Sequence, residues 1–184
     1  IQALDTEDVT NLTFAQIGGL STSQIAALTA SQIVGLETAD MGALTGAQIK
    51  ALNTNVLSQL SSDQIANLSS AAIQAFTTTQ VRALTSAQIS SFPTNQNPYV
   101  TTTQIAALSS SQIQYINQLS PNQIKAVSTS VIANLASDSV PNLSTAQIQA
   151  LTGAQITALG GNGLSGLSSD QIGALSTAAI NTLS

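Results

Sequence analysis

An eight-residue unit, [Ser/Thr]-x-x-Gln-Ile-x-x-Leu, runs through nearly the whole chain. It is plain in Thr13–Leu20, Ser21–Leu28 and Thr29–Leu36. Repetition of this kind dictates a stack of small like units, each stabilised by its neighbours, rather than one irregular core. The phase holds with one slip. Ile1–Leu4 forms the back half of a unit, octads fill residues 5–116, and Asn117-Gln118-Leu119 is a three-residue insertion. Octads resume over 120–183, and Ser184 opens another. The expected organisation is a single repeat array over residues 1–184, a slice of a longer array.

The constrained positions have a common physical reading. Position eight is Leu, Ile, Val or Phe in all 22 octads, and position five is aliphatic or Met in 21, Asn97 being the exception. Position one is Ser, Thr, Asp or Asn in 18, and position four is Gln in 14. Ser or Thr at position one is a helix N-cap, accepting from a free N–H of the first turn. Gln three residues later completes a capping box, and the Leu before the cap with the Ile after the Gln makes a hydrophobic staple. The chain therefore repeats the start signal of a helix every eight residues.

Two competing architectures fit less well. In one continuous helix, eight residues at 100° each leave the apolar stripe drifting by about 80° per octad, so it would bury nothing consistently. A β-solenoid with 24-residue rungs is the alternative, but the apolar spacing is three then five rather than two. Gln and Ala favour helix over strand. The expected fold is all-α: a solenoid of short capped helices. Helices of six or seven residues are marginal alone and must pack on one another. Ala or Gly at position seven would let them approach closely. Over residues 5–116 the octads lacking Gln begin at Asp5, Glu37, Asn53 and Ser69, an even number of octads apart, a rule that the octads of 120–183 do not keep cleanly. That spacing predicts a 16-residue pair as the unit, with two helices per turn of the coil.

Four places break the pattern. Phe92–Val100 contains Pro98 where a helix interior would fall, and predicts a loop or kink. Ile113–Leu119 carries the insertion and predicts one helix longer by a turn. Val140-Pro141-Asn142-Leu143 predicts a shortened helix. Gly160-Gly161-Asn162-Gly163 lacks a cap and predicts a loop.

Composition excludes most chemistry. There is no Cys, His or Trp, so Cys or His metal sites and Ser-His-Asp or Cys-His active sites are ruled out. Only 6% of residues are charged, and three bases cannot neutralise many phosphates, which argues against nucleic acid. No apolar run reaches membrane-spanning length. Asp5, Glu7 and Asp8 read as acids favoured in a first helical turn, and Glu37 and Asp40 as cap and capping-box substitutes. Lys50, Arg82 and Lys125 stand at position six, a solvent face. Asn11, Asn67 and Asn142 each open a glycosylation pattern that arises from the repeat itself. Tyr115 fills space beside the insertion, and Phe76 and Phe92 replace the position-eight Leu as core. No Ser has a basic partner. No catalytic, cofactor-binding or metal-binding residue is assigned, and the chain is read as no enzyme.

Units such as Leu44–Ile49 and Leu143–Ile148 resemble the tandem Ser/Thr-x-x-Gln-Ile arrays of large bacterial exported proteins, often labelled haem-utilisation or adhesion proteins. The resemblance implies an extracellular or cell-surface repeat region. No His, Cys or Tyr recurs at a repeat position, so no haem ligand carries over. The expected function is structural: a stalk, spacer or self-assembling fibre of a bacterial surface, associating end to end or laterally. The alternative is an adhesin-like binding module presenting a face to a peptide, glycan or host protein. Its predicted patch lies around Asn95–Tyr99 and Gly160–Gly163. A regular Thr face for ice contact is a minor variant.

Overall fold

The computed structural model describes residues 5–92, 97–113, 116–135 and 139–183. Short helices and turns account for them, and no strand occurs among the described residues. The fold is an all-α repeat solenoid, and the β-solenoid alternative is not realised. The chain divides into two compact units, Ile1–Val100 and Thr101–Ser184.

The Thr45 octad shows how eight residues make one unit. Thr45 is the N-cap of the helix Gly46–Ala51. Its Oγ1 accepts from the Gln48 backbone N–H, and the Gln48 Oε1 accepts from the Thr45 N–H at 2.7 Å. Leu44 and Ile49, the two staple residues, are both buried. The last turn tightens, with Leu52 N–H donating to Ile49 O at 3.1 Å. Leu52 (φ −64°, ψ 133°) and Asn53 (φ −67°, ψ 141°) are then extended, and the next helix begins at once. Two extended residues thus make the corner. Among the described residues only Gly160 has a positive φ, so the ordinary corner needs no glycine.

Packing joins helices that are not neighbours in sequence. In the first unit, Thr22–Ala26 packs on Gly46–Ala51, Gly46–Ala51 on Ser70–Ala75, and Thr54–Leu57 on Thr78–Ala83. In the second, Pro121–Ala126 packs on Thr145–Ala150, and Thr145–Ala150 on Ser169–Gly173. Each partner lies three octads further on. The two-helix turn expected from the Gln-less octads is therefore wrong: a turn holds between three and four helices. The reason is the corner, which redirects the chain without reversing it.

This packing is what lets such short helices exist. Ile17, Ile33, Ile49 and Ile65 are wholly buried, and Leu28, Leu36, Leu52, Leu60 and Leu68 nearly so. Each such side chain contributes about 1.5–3 kcal/mol. Phe76 and Phe92 are core, as read from sequence. Gly35, at position seven, meets Thr6 and Thr10 closely, as expected there. Position two has the same role at Gly46, where a Cβ would lie 2.9 Å from the Ala75 Cβ.

The irregular octads differ from expectation. Gly160–Gly163 is not a loop: the helical run Gly153–Ser165 passes through it, kinked at Gly160 (φ 63°, ψ −177°). Glycine supplies the left-handed backbone there, so a helix restarts without a Ser or Thr cap. The insertion does not lengthen a helix. Ile116–Gln118 is a separate 3₁₀ turn, and Pro121–Ala126 packs on Thr102–Ala107 across it. Counting Ile116–Leu119 as one compressed octad restores the three-octad spacing. Ser139–Leu143 is turn rather than a shortened helix. Asn97–Tyr99, with Pro98, is a 3₁₀ turn, while 93–96 of that expected loop lie outside the described residues. Glu37 makes no side-chain cap bond, and its octad forms the 3₁₀ helix Thr38–Ala43 instead. The carboxylate therefore does not substitute for a Ser or Thr cap.

Candidate functional site

The recurring Gln does more than cap. Every buried polar or charged side chain among the described residues is a position-four Gln, from Gln32 to Gln171. The Oε1 faces its own helix start, while the Nε2 reaches back across a whole turn. Gln80 Nε2 donates to Ile49 O at 2.6 Å and Leu52 O at 2.9 Å. Gln48 donates to Ile17 O and Leu20 O, both at 2.8 Å. Gln64 donates to Ile33 O and Leu36 O, and Gln88 to Leu57 O and Leu60 O. In the second unit Gln155 donates to Ile124 O and Val127 O, and Gln171 to Val140 O and Leu143 O.

The acceptors lie at the end of the unit four places earlier, which in the regular octads is the end of a helix. A helix leaves its last carbonyls without intrahelical partners. The position-five carbonyl already takes the position-eight N–H, and its second lone pair takes the Gln amide. Gln80 uses its full capacity: Thr77 N–H and Oγ1 donate to its Oε1, and both Nε2 hydrogens are given to carbonyls. Only an amide can do this. A carboxylate would keep the cap and lose both donors.

The same bond accommodates the irregular octads, because it needs carbonyls and nothing else. Gln147 donates to Asn117 O and Leu119 O of the compressed unit. Gln171 also reaches Pro141 O, so a residue lacking an N–H is no obstacle. Where Gln is absent, position four is Asp8, Asp40, Ser139, Gly163 or a small or branched apolar side chain. Val56, Ala72, Val131 and Ala179 are all buried. Capping was legible from sequence; this second use of the amide was missed. Its signal was that the box admits Glu or Gln, yet no position-four residue is Glu.

The residues weighed for chemistry stand apart. Asp5 caps the helix Thr6–Thr10 and pairs reciprocally with Asp8, while Glu7 lies in the same first turn. No group of three or more acidic side chains able to hold a metal occurs among the described residues. Lys50, Arg82 and Lys125 are exposed, each in the last turn of its helix. Asn11 and Asn67 donate through Nδ2 to Glu7 O and Asp63 O of their own helices. Tyr99 is exposed, and Tyr115 and Asn95 lie outside the described residues. No helix is long and apolar enough to cross a membrane among the described residues. One cleft of about 690 Å³ in the second unit is lined by Ala133, Leu135, Ala158 and Gly160–Gly163.

No curated protein matched the sequence. The ALTTAQ repeat matches three times in tandem, over residues 1–38, 33–70 and 65–94. The matches start 32 residues apart, which is four octads and the reach of the Gln amide. On that match the chain belongs to the ALTTAQ repeat family.

Proposed function

We propose that this array is a structural spacer or stalk of a bacterial cell surface, lying outside the cell and without catalytic activity. One observation carries the reading: the recurring polar side chains are spent inside the fold. Ser and Thr cap, Gln caps and ties one turn to the next, and Ile and Leu fill the core. What recurs serves continuation of the array, and solenoids extend by adding units of this kind. The low charge and the likeness to exported bacterial arrays support the location. Antibodies against this chain, applied to intact source cells, should label the surface without lysis. Label that appears only after lysis defeats the reading.

A binding module is favoured by one observation, the glycine-lined cleft at Gly160–Gly163. A glycan and peptide array probed with the chain tests it. A ligand must be lost on Gly161→Trp, which places bulk where nothing lies within 4 Å.

A further inference from the structure

In the second unit the position-eight carbonyl is the nearer anchor of the tether. Gln147, Gln155 and Gln171 donate to Leu119 O, Val127 O and Leu143 O at 2.7 Å each. Their second bonds, to Asn117 O, Ile124 O and Val140 O, are 2.8, 2.8 and 3.3 Å. One octad there lacks the amide although both its neighbours have it. Between the octads of Gln155 and Gln171, position four is Gly163. The same spacing sets Gly163 opposite Ile132 and Leu135, 31 and 28 residues earlier. Ile132 O takes the Leu135 N–H at 3.1 Å, but among the described residues nothing donates to Leu135 O.

Elsewhere a missing Gln leaves no gap. Val56, Ala72 and Ala179 are buried at position four, and the residues opposite them, Leu28, Leu44 and Leu151, are 4%, 1% and 3% exposed. Glycine has no side chain to give this cover. Leu135 is only half-buried, and it lines the 690 Å³ cleft together with Gly163. The chain cannot fill the gap from position 163 without displacement, because a Cβ there would lie 3.0 Å from the Leu159 Cβ.

We propose that this cleft binds a primary carboxamide from outside the chain, the glutamine side chain of a peptide. Its NH₂ group donates to Leu135 O, as Gln155 and Gln171 donate to the corresponding carbonyls in the octads on either side. A carbonyl has no hydrogen to give, so the ligand must bring the donor. A carboxylate brings none. An ammonium would enter with no counter-charge, since no lining residue is charged. The cleft is far larger than a carboxamide and falls in the size range of small-ligand sites, which leaves room for the peptide bonds on either side of the glutamine. The inference rests on the binding-module reading above and names its ligand class.

Proton–nitrogen correlation NMR of the 184-residue chain tests it. The titrants are N-acetylglutamine methylamide, its side-chain N,N-dimethyl analogue and N-acetylglutamate methylamide. The first should shift the amide signals of Leu135 and Gly160–Gly163 and reach saturation. The other two lack the side-chain donor and should bind at least about tenfold more weakly. Propionamide, the head group alone, should also bind more weakly. Gly161→Trp, with an unchanged circular dichroism spectrum, should abolish the shifts. Equal binding of the three derivatives overturns the proposal, as does no saturation by the first up to its solubility limit. Shifts that persist in Gly161→Trp place the ligand elsewhere and overturn it too. Propionamide binding as tightly as the glutamine derivative overturns the peptide as the source. A glycan that is lost on Gly161→Trp, with no response to the glutamine derivative, would leave the binding reading standing and this one not.

Discussion

Gln80 Nε2 donates to the carbonyl oxygen of Ile49, 31 residues earlier, at 2.6 Å. Gln80 is 3% exposed, so neither group has water as an alternative. The bond makes residue 80 a sensitive place to test the fold. Gln80→Glu keeps the cap acceptor for Thr77 N–H and removes both donors. At pH 7 it also turns a charge toward two carbonyls. The expected cost is about 3 kcal/mol or more, the range for a buried, unsatisfied charged group. Gln16→Glu, exposed and untethered, should stay within about 0.5 kcal/mol of wild type. Urea midpoints of the two variants measure the difference.

The same variant has a predicted pH dependence. Burial against carbonyls raises the pKa of the introduced carboxyl above the ordinary value of about 4.3. The folded form then binds the proton more tightly than the unfolded form. Stability of Gln80→Glu therefore falls as pH rises through the raised pKa, and recovers toward pH 4, where the neutral acid can donate to one carbonyl. The gap to wild type should narrow between pH 7 and pH 4. A gap that stays constant would show that the lost tether is not electrostatic in origin.

Local features were legible in the sequence because they depend on residues three or four apart. The caps at Thr45 and Thr77, the staple of Leu44 with Ile49, and the core roles of Phe76 and Phe92 all follow from offsets within one octad. The number of helices per turn was not legible in that way, since it is set by a bond from residue 80 to residue 49. The octads at Asp5, Glu37 and Ser69 stand 32 residues apart, one tether period, and Asn53 between them made the spacing look like 16. Gly160 misled for another reason. Four residues of turn chemistry outweigh helix propensity in isolation, but here packing and a left-handed glycine restart the helix.

Gly160 and Gly161 separate backbone strain from crowding. Neither has an atom within 4 Å of an added Cβ, yet Gly160 alone has φ +63°. Gly160→Ala should cost about 1–3 kcal/mol through the backbone alone. Gly161→Ala, within the helical run, should be neutral or stabilise by up to about 1 kcal/mol. Thermal melts of the two variants decide it: equal midpoints would remove any special role for the kink.

Gly46 tests the close approach between octads. An Ala there puts its Cβ 2.9 Å from the Ala75 Cβ and 3.3 Å from the Ala71 carbonyl. Ala is the better helix former, so propensity alone predicts a gain. The expected outcome is a loss of about 1–3 kcal/mol, the usual range for overpacking. Gly46→Ala with Ala75→Gly should recover part of it. Gly19→Ala, with nothing within 4 Å, should gain stability. Chemical denaturation of the three variants ranks them, and a stabilised Gly46→Ala would refute the crowding.

The four-octad period can be tested by removing octads. Deleting Thr45–Phe76 removes four, and Gln80 then stands where Gln48 stood, four octads after the carbonyls of Ile17 and Leu20. The Thr77 octad takes over the packing of the Thr45 octad on Thr22–Ala26, and Ala83 replaces Ala51 at position seven. Deleting Thr45–Leu68 removes only three. It brings the Ser69 octad onto Thr22–Ala26, with Ala75 at position seven where Ala51 stood. It sets Ala72, with no amide, against the carbonyls of Ile17 and Leu20 that Gln48 held. In a solenoid, stability grows with the number of units, so length alone favours the three-octad deletion by one octad. The period predicts the reverse: the shorter chain, lacking four octads, should melt at the higher temperature, with helix content per residue close to wild type. If the longer chain is the more stable, the octads are interchangeable and the 32-residue step has no structural weight.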